Sequence, residues 1–541
     1  MGGPATVRTL PPGRGRHDLL AVAATGLAVA GLLAPARVPI AAAAADGLRL
    51  STAATYTLVP SRHVVRVSVD ITARNEKPNV TSGGIVTKYF YEGARIAIQT
   101  EATSIRATTS GARLTATTTA ADGFRVLEVR FRSAVFFGQT AKVRVTYDLP
   151  GGAPRSSSGI RVSTAFATFV AWGFGDSASV RVVIPAGFET QTSGSTVTRS
   201  TANGATILRA TGIADISAWY LQVTADRKSA LTTERIDLSG GEHVVVRAWP
   251  EDTEWRTRVG QLITKGLPEL VRETGLDWPV GGDLSVFEVH TPLLEGYAGV
   301  FFVGQDRIEI SEDLDDLTIL HEASHAWFNR TLFDGRWITE GLADAYAAKT
   351  LEVVAPGGDW APDRVAPDDP SAVRLVHWTH PGRITDDETD ARERYGYNAS
   401  WTVVRSLIRE IGDDGMRKVF AAAQGHRIAY TAGPTAAGAT AETVSGPNDW
   451  RRFLDLLEEV GGSRTADDLF RRWVVTDADL NALDKRAEAR TAWAALVRAG
   501  GDWVVPPSIR RPLADWDSRR RCLSAPPASP RRPPGRPRCC W

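Results

Sequence analysis

The residues with the most evident chemistry form an H-E-x-x-H pattern that runs from His321 to His325. On an α-helix a step of four residues brings both imidazoles onto one face, where they can share a metal ion. Neutral imidazoles suit Zn²⁺, and the carboxylate of Glu322 beside them can act as the general base that activates a water molecule. So short a pattern also arises by chance, and the two histidines would then be ordinary helix residues. The residues that follow decide between these readings.

A zinc site of the two-His, one-Glu type needs a third protein ligand and an open position for water. The first helix is predicted to begin near Asp313, in an acidic stretch that favours a helix N-terminus, and to stop before Gly335. A second helix, TEGLADAYAAKTLEVV, then places Glu340 in its first turn as the third ligand. Asp344, one turn later, can accept a hydrogen bond from the outer nitrogen of a ligand histidine and fix its tautomer.

With these motifs, H-E-x-x-H and the W-x-x-E-G-L-A phrase around Glu340, the sequence resembles the gluzincin metallopeptidases and specifically the aminopeptidase N family. The resemblance implies that His321, His325 and Glu340 bind one Zn²⁺ ion, that Glu322 is the general base, and that the substrate is a peptide or protein. The spacer between His325 and Glu340 is about four residues shorter than is usual in that family, a difference that falls on the loop between the helices.

The same resemblance points to Glu295 as a substrate-binding residue. The family has a G-x-M-E-N strand whose glutamate binds the free amino group of the substrate, whereas this chain reads L-L-E-G-Y-A-G. If Gly299 is matched to the glycine after the family motif, Gly296 takes the recognition position and Glu295 lies one residue away. Glu295 reaches substrate only if the strand carries a bulge, and is otherwise a solvated edge charge.

A phenol hydroxyl beside a zinc site can stabilise the oxyanion that forms on the former carbonyl. Tyr395 and Tyr397 are predicted to lie at the start of the helix RYGYNASWTVVRSLIREIG. The family has a tyrosine that opens a Y-x-K-G turn, and Tyr397 matches it, although Ala399 and Ser400 replace the lysine and the glycine. Tyr397 is therefore predicted to be catalytic, with Tyr395 as the second choice and plain packing as the alternative.

The N-terminal residues 1–45 are predicted to form a secretory signal peptide. Arginines precede an uncharged apolar run from Leu19 to Ala34 and then a small-residue tract from Ala41 to Ala45. A retained anchor is the alternative, but the apolar run is short for a bilayer crossing, so no membrane span is expected after cleavage. The mature protein is predicted to be secreted or extracytoplasmic.

The pattern along the chain predicts a multidomain α+β protein. Period-two alternation over 46–228 predicts an N-terminal antiparallel β domain, which serves as a scaffold or as a binding module. A thermolysin-like zinc peptidase catalytic domain is predicted over 229–430, on the resemblance, and a partial C-terminal helical domain over 431–517. The Arg/Pro-rich tail 518–541 is predicted to be disordered, and we interpret it as an anion-binding segment or an aberrant, frame-shifted end.

Charge and cysteine content limit the classes of partner and the disulfides that the chain can have. The net charge of the chain is +1, but the body from Asp46 to Asp517 carries −9, which argues against nucleic acid as a partner. All three cysteines lie in the last twenty residues, so the folded body is predicted to lack disulfides. His377 and His380 fall in a Pro-rich stretch predicted to be a surface excursion, and both are predicted to be surface histidines.

Three functions remain open from the sequence. The first is an aminopeptidase that releases N-terminal residues, and the second is a zinc endo- or oligopeptidase that ignores the amino group. The third is a non-catalytic binding protein with a peptidase fold. The presence of Glu322, which a binding protein would not need, argues against the third.

Overall fold

A computed structural model describes residues 47–431, 442–501 and 505–516 of the chain. The predicted signal peptide and the predicted disordered tail lie outside the described residues, as do all three cysteines.

The described residues divide into two compact units. The β unit comprises 47–234 and 247–256, and the helical unit comprises 235–246, 257–431, 442–501 and 505–516. The predicted catalytic domain and the predicted helical segment that follows it fall almost wholly in the same unit.

The first seventeen strands belong to the β unit. They are β1 (Leu48–Val59), β2 (Val64–Asn75), β3 (Val80–Ser82), β4 (Ile85–Thr87), β5 (Phe90–Ile98), β6 (Thr103–Thr109), β7 (Ala112–Leu114), β8 (Ala116–Ala121), β9 (Phe124–Phe136), β10 (Thr140–Pro150), β11 (Arg161–Val162), β12 (Phe166–Trp172), β13 (Ser177–Ile184), β14 (Glu189–Gly194), β15 (Thr198–Ala202), β16 (Ala205–Ile213) and β17 (Tyr220–Asp226).

Alternation of buried and exposed side chains builds the core of the β unit. Along β1 and β2 every second residue is buried, because successive side chains of a strand point to opposite faces. The largest sheet has the strand order β15-β16-β13-β1-β2-β10-β6-β7. The prediction of a purely antiparallel domain is wrong at one pair, since β1 and β13 run parallel. Period-two alternation shows which face a side chain takes but not the direction of the neighbouring strand.

The remaining strands and the helices follow in chain order. They are β18 (Thr232–Asp237), β19 (His243–Ala248), α1 (Thr253–Thr274), β20 (Leu284–Val289), β21 (Gly299–Phe302), β22 (Arg307–Ser311), α2 (Asp316–Ser324), α3 (Arg336–Val354), α4 (Asp387–Gln424), α5 (Trp450–Glu459), α6 (Ala466–Leu469), α7 (Asp477–Gly500) and α8 (Pro507–Ala514).

A five-stranded sheet of order β18-β19-β20-β22-β21 lies in sequence ahead of the candidate site. β20 and β22 are parallel, whereas β21 is antiparallel to β22 and forms the sheet edge. The apolar residues of α1 between Val259 and Leu270 are buried in the structure, as an amphipathic helix requires. Within the described part of the chain, no helix has the length and apolar character needed to cross a membrane.

Candidate metal centre

Helix α2 carries both histidines of the H-E-x-x-H pattern. Asp315 caps its N-terminus, because its carboxylate accepts the backbone N–H of Thr318 at 3.2 Å. The predicted start near Asp313 is thus close to the observed one, and the helix stops before Gly335 as predicted. The helix ends at Ser324, where the side-chain amide of Asn329 donates to the carbonyl of His325 at 2.9 Å.

The early end of α2 does not separate the two imidazoles. His325 is the C-cap residue and keeps helical dihedral angles, φ −69° and ψ −8°. The four-residue step therefore still holds, and the ring centroids of His321 and His325 lie 4.8 Å apart.

Helix α3 supplies the carboxylates. It begins at Arg336, so Glu340 lies in its second turn and not in the first turn as predicted. Gly335, the N-cap residue, has φ 154°, which lets the chain turn directly into the helix. Glu340 and Asp344 are one turn apart, and both are buried on the face that meets α2.

The hydrogen bonds of the two histidines fix which nitrogens face each other. His321 Nδ1 lies 2.9 Å from Asp344 Oδ1, and His325 Nδ1 lies 2.6 Å from the carbonyl oxygen of Phe328. Both acceptors require a proton on Nδ1, which leaves a lone pair on each Nε2. The two Nε2 atoms are 3.2 Å apart, so either a proton or a metal cation between them would relieve the repulsion of two facing lone pairs.

The carboxylate of Glu340 completes this arrangement. Its Oε2 lies 3.4 Å from His321 Nε2 and 3.6 Å from His325 Nε2, and has no hydrogen-bond donor in the structure. A tetrahedral Zn²⁺ with bonds of about 2.0–2.1 Å separates its ligand atoms by about 3.3–3.4 Å. The three side chains fit one zinc ion by donor type, spacing and burial.

The charges of the cluster favour ionised Glu340. Burial raises its pKa, but the two neighbouring histidines, His325 first, outweigh burial and hold that pKa below its usual range. For His325 burial is the largest effect and lowers the pKa, which favours the neutral imidazole that a metal requires.

Glu322 lies beside the cluster without a partner. It is completely buried, neither carboxylate oxygen has a hydrogen bond to any described residue, and burial raises its pKa well above the usual range. Gly299 of strand β21 lies against it, because a Cβ atom at that position would come 2.4 Å from Glu322 Oε1. The edge strand and the unpartnered carboxylate are therefore neighbours.

Tyr397 lies next to the histidines, although not at the start of a helix as predicted. Helix α4 begins at Asp387, so Tyr397 is in its third turn. The Tyr397 and His321 ring centroids are 6.4 Å apart. The close approach of α3 and α4 makes this possible, since a Cβ on Gly341 would lie 2.7 Å from the carbonyl oxygen of Ser400. Tyr395 instead has Asp369 and Arg374 among its charged neighbours.

Glu295 does not lie on a strand. It ends a short 3-10 turn, with φ 55° in the left-handed region, so the strand bulge that would let it reach substrate is not formed. Its carboxylate forms an ion pair with Arg383 at 3.0 Å, and its carbonyl accepts the N–H of Ile384 at 3.1 Å. Pro292 and Gly296 on either side of the two leucines favour a turn here over a strand.

The two histidines of the stretch after α3 have different environments. His377 is exposed, as predicted, but the prediction is wrong for His380, which is half-buried. The His380 ring packs on Tyr297 with centroids 5.0 Å apart, and burial followed by the charge of Arg336 lowers its pKa to about 4. Pro-rich sequence predicts a loop but does not show what the loop covers.

Sequence reasoning missed an arginine and a glutamate beside Tyr397. Arg336 donates to both carboxylate oxygens of Glu393, and also donates to the Tyr397 hydroxyl oxygen at 3.2 Å. Its guanidinium lies 3.8 Å from the ring centroid of Trp378. Glu393 precedes Tyr397 by four residues, so the helical spacing would have revealed it had α4 been extended to its true start.

No family model and no curated protein matches this sequence. Among solved structures, the chain is similar to an M1 zinc metallopeptidase from Deinococcus radiodurans, in a mutant form bound to a Tyr-Ser-Ala substrate. The identity is 15%, the TM-score is 0.30, and the match covers 80% of this chain and 96% of that chain. Another structure of the M1 zinc metallopeptidase from Deinococcus radiodurans matches with 15% identity and a TM-score of 0.28, over 80% of this chain and 95% of that chain.

A two-domain M1 zinc metallopeptidase bound to L-tryptophan is similar at 15% identity and a TM-score of 0.28, over 80% of this chain and 96% of that chain. Similarity at this identity and TM-score does not assign an activity. The chemistry of the site has to be derived from its own side chains.

Proposed function

We propose that this protein is a zinc-dependent peptidase that hydrolyses peptide bonds. The observation that carries the proposal is the convergence of His321 Nε2, His325 Nε2 and Glu340 Oε2 beside Glu322, a buried carboxylate that has no hydrogen bond within the described part of the chain. Three protein ligands leave a fourth zinc position for water or substrate, as catalytic sites require. When bound, zinc would supply Lewis-acid polarisation of the scissile carbonyl and of water.

Glu322 is placed to transfer protons. Neither of its oxygens is engaged, so the carboxylate can accept a proton from the attacking water and pass it to the leaving nitrogen. Because burial raises its pKa, Glu322 is a stronger base than an exposed glutamate.

The edge strand β21 offers a place for the substrate backbone. It pairs only with β22, so its other edge is free within the described sheet. An extended peptide can add to such an edge by backbone hydrogen bonds. Gly299 opens this strand against Glu322, and a peptide aligned there would have its backbone next to the general base.

Tyr397 is placed to bind the carbonyl oxygen as it gains negative charge. Its hydroxyl oxygen accepts from Arg336, which leaves its own O–H available as a donor. Arg336 in turn is held by the bidentate contact with Glu393. We propose Tyr397 as the oxyanion donor and Arg336 as the residue that orients it.

The position of the cut depends on what recognises the substrate amino group. In an aminopeptidase a carboxylate must bind that ammonium group, and Glu295 can do so only if the ammonium replaces Arg383 as its partner. This ion pair favours the second candidate, an endo- or oligopeptidase without amino-group recognition. The sequence motifs resemble those of aminopeptidases, so aminopeptidase action stays the first of the two candidates.

One experiment distinguishes these functions. The full chain is incubated with a peptide library in free and N-acetylated forms, with Zn²⁺, and the products are read by mass spectrometry beside Glu322→Gln. Loss of single N-terminal residues from free peptides alone supports the aminopeptidase, and internal cleavage of acetylated peptides supports the endopeptidase. If neither form is cut while zinc is bound, or if Glu322→Gln cuts equally well, the peptidase proposal is wrong.

We also propose that residues 1–45 direct export, on the charge and apolar pattern of that segment. N-terminal sequencing of protein recovered outside the cytoplasm should begin after the Ala41–Ala45 tract. A retained N-terminus would contradict cleavage.

A further inference from the structure

A small hairpin of the β unit pairs with no other strand among the described residues. Strands β3 and β4 form a two-stranded sheet of their own, and all six of their residues are exposed. Gly83 and Gly84 join them with φ 55° and 80°, the positive values that a type I′ turn requires. An isolated two-stranded hairpin is marginally stable in water, so its exposed surface favours a partner.

The apolar side chains that stay exposed are concentrated here. Among the described residues, seven large hydrophobic side chains are exposed, and six of them lie on this hairpin or at its base. These six, here called the apolar wedge, are Val80, Ile85, Val86, Phe90, Phe136 and Phe137. Clustering of this kind marks an interaction site, whereas single exposed apolar residues need no explanation.

Hydrogen bonds tie the base of the hairpin to the rest of the wedge. The side-chain amide of Asn75 donates to the carbonyls of Tyr89 at 3.0 Å and of Val135 at 2.9 Å. The rings of Phe90 and Phe136 then lie with centroids 5.5 Å apart. The hairpin and the phenylalanines therefore form one continuous surface.

The tip of the wedge is apolar on both faces. Ile85 lies opposite Ser82, and Val86 lies opposite Thr81. Adjacent residues of a strand point to opposite faces, so Ile85 and Val86 project to the two sides of the hairpin. A folded partner or a second copy that docks on one face would leave the other in water, whereas the interfacial region of a bilayer surrounds both.

The hairpin segment 77–91 carries two lysines and no acidic residue, and Glu76 and Glu92 flank it. Lys88 is exposed beside β4, and the ammonium group of Lys77 lies 4.7 Å from the centroid of the Tyr89 ring. Residues 47–234 hold 21 Lys and Arg against 12 Asp and Glu, whereas 235–517 hold 31 against 48. The excess of positive charge belongs to the part of the chain that carries the wedge. Anionic lipid headgroups are its complement.

We propose that the apolar wedge inserts into the interfacial region of an anionic phospholipid bilayer, with Lys77 and Lys88 at the phosphates. The insertion of apolar side chains and the attraction of lysines to phosphates both contribute to the free energy of membrane binding, as they do for other interfacial segments. This binding site is independent of the peptidase proposal, since none of its residues belongs to the metal centre.

The test measures binding of the full chain to vesicles of phosphatidylglycerol mixed with phosphatidylcholine, and to vesicles of phosphatidylcholine alone, by co-sedimentation. The double variant Ile85→Ser/Val86→Ser should bind the anionic vesicles at least about tenfold more weakly. Lys88→Gln should weaken binding about fivefold, and added salt should weaken it for the wild type. Every sample keeps the same basic termini, so differences report the hairpin.

Two matched controls fix the interpretation. Val353→Ser removes the seventh exposed large hydrophobic side chain, which lies on α3, and Arg181→Gln removes one exposed charge on β13. Both should bind as the wild type does. The proposal is overturned if the wild type ignores anionic vesicles or if Ile85→Ser/Val86→Ser binds them unchanged. It is also overturned if the wild type is instead a dimer in sedimentation that this double variant dissociates, because the wedge then binds a second copy.

Discussion

Replacement of Asp344 by asparagine should weaken zinc binding without removing any ligand. Asp344 Oδ1 accepts from His321 Nδ1 at 2.9 Å, and its Oδ2 is buried with no hydrogen-bond partner in the structure. If the asparagine oxygen takes the place of Oδ1, its NH₂ group is left buried without an acceptor. If the amide is reversed, NH₂ faces Nδ1 and drives the proton to Nε2, where the metal should bind.

Both orientations of the amide cost free energy, and typical values give the size of that cost. A buried polar group without a partner costs about 1–3 kcal/mol. Loss of the hydrogen bond between a metal-binding histidine and its carboxylate partner typically weakens metal affinity about 10–100-fold, or about 1.4–2.8 kcal/mol. We therefore expect the Kd for Zn²⁺ of Asp344→Asn to rise by that factor, and saturating Zn²⁺ to restore most of the lost activity.

The assay is competition for Zn²⁺ against a chelator, followed by titration of peptidase activity with added Zn²⁺. Glu273→Gln is the matched control, because Glu273 is also a buried carboxylate against α3, where it accepts from Thr350, but contacts no ligand. An Asp344→Asn Kd within twofold of the wild type, or a shift of equal size in Glu273→Gln, would refute the tautomer argument.

Two further predictions concern other buried groups. Tyr397→Phe should lower kcat about 10²–10³-fold with KM and zinc content unchanged, because an oxyanion donor acts mainly in the transition state. The control Tyr395→Phe should keep its activity. Equal losses of kcat in both variants would contradict the role of Tyr397. Burial raises the pKa of Glu273 from 4.5 to about 7, even though Lys349 lies 3.5 Å away. As pH rises, Glu273 therefore loses its proton in the unfolded chain before it does so in the folded chain. The stability that protonated Glu273 contributes is thus lost between about pH 4.5 and 7. Glu273→Gln should therefore gain up to about 3 kcal/mol in free energy of unfolding relative to the wild type between about pH 4 and pH 8 in urea titrations, and parallel curves would contradict it.

Much of the local structure followed from the sequence. The period-two alternation predicted over 46–228 became strands such as β1 and β2. Boundaries were less accurate, since the end of α2 at Ser324 was predicted only as lying before Gly335, and α4 began at Asp387, ahead of its predicted start. Those ends depend on caps such as Asn329 and Asp386, whose local side-chain hydrogen bonds a periodic pattern does not show.

The environment of the outer residues could not be predicted in the same way. Glu295 is bound by Arg383, 88 positions along the chain, and His380 packs on Tyr297 across a similar interval. These contacts come from a Pro-rich stretch with no periodicity, and only the folded chain decides which surface it covers. Arg336 reaches Tyr397 for the same reason, because two helices distant in sequence pack closely.

The sequence by itself determined the donor set of this protein. The step from His321 to His325 and the turn from Glu340 to Asp344 are helical spacings, and a helix converts such spacings into faces irrespective of what surrounds it. Tertiary structure decided how the two faces meet, so that three ligand atoms lie about a tetrahedral edge apart and Gly299 touches Glu322. Contacts of that kind join different elements, and their distances depend on the packing of the whole unit and on no local pattern.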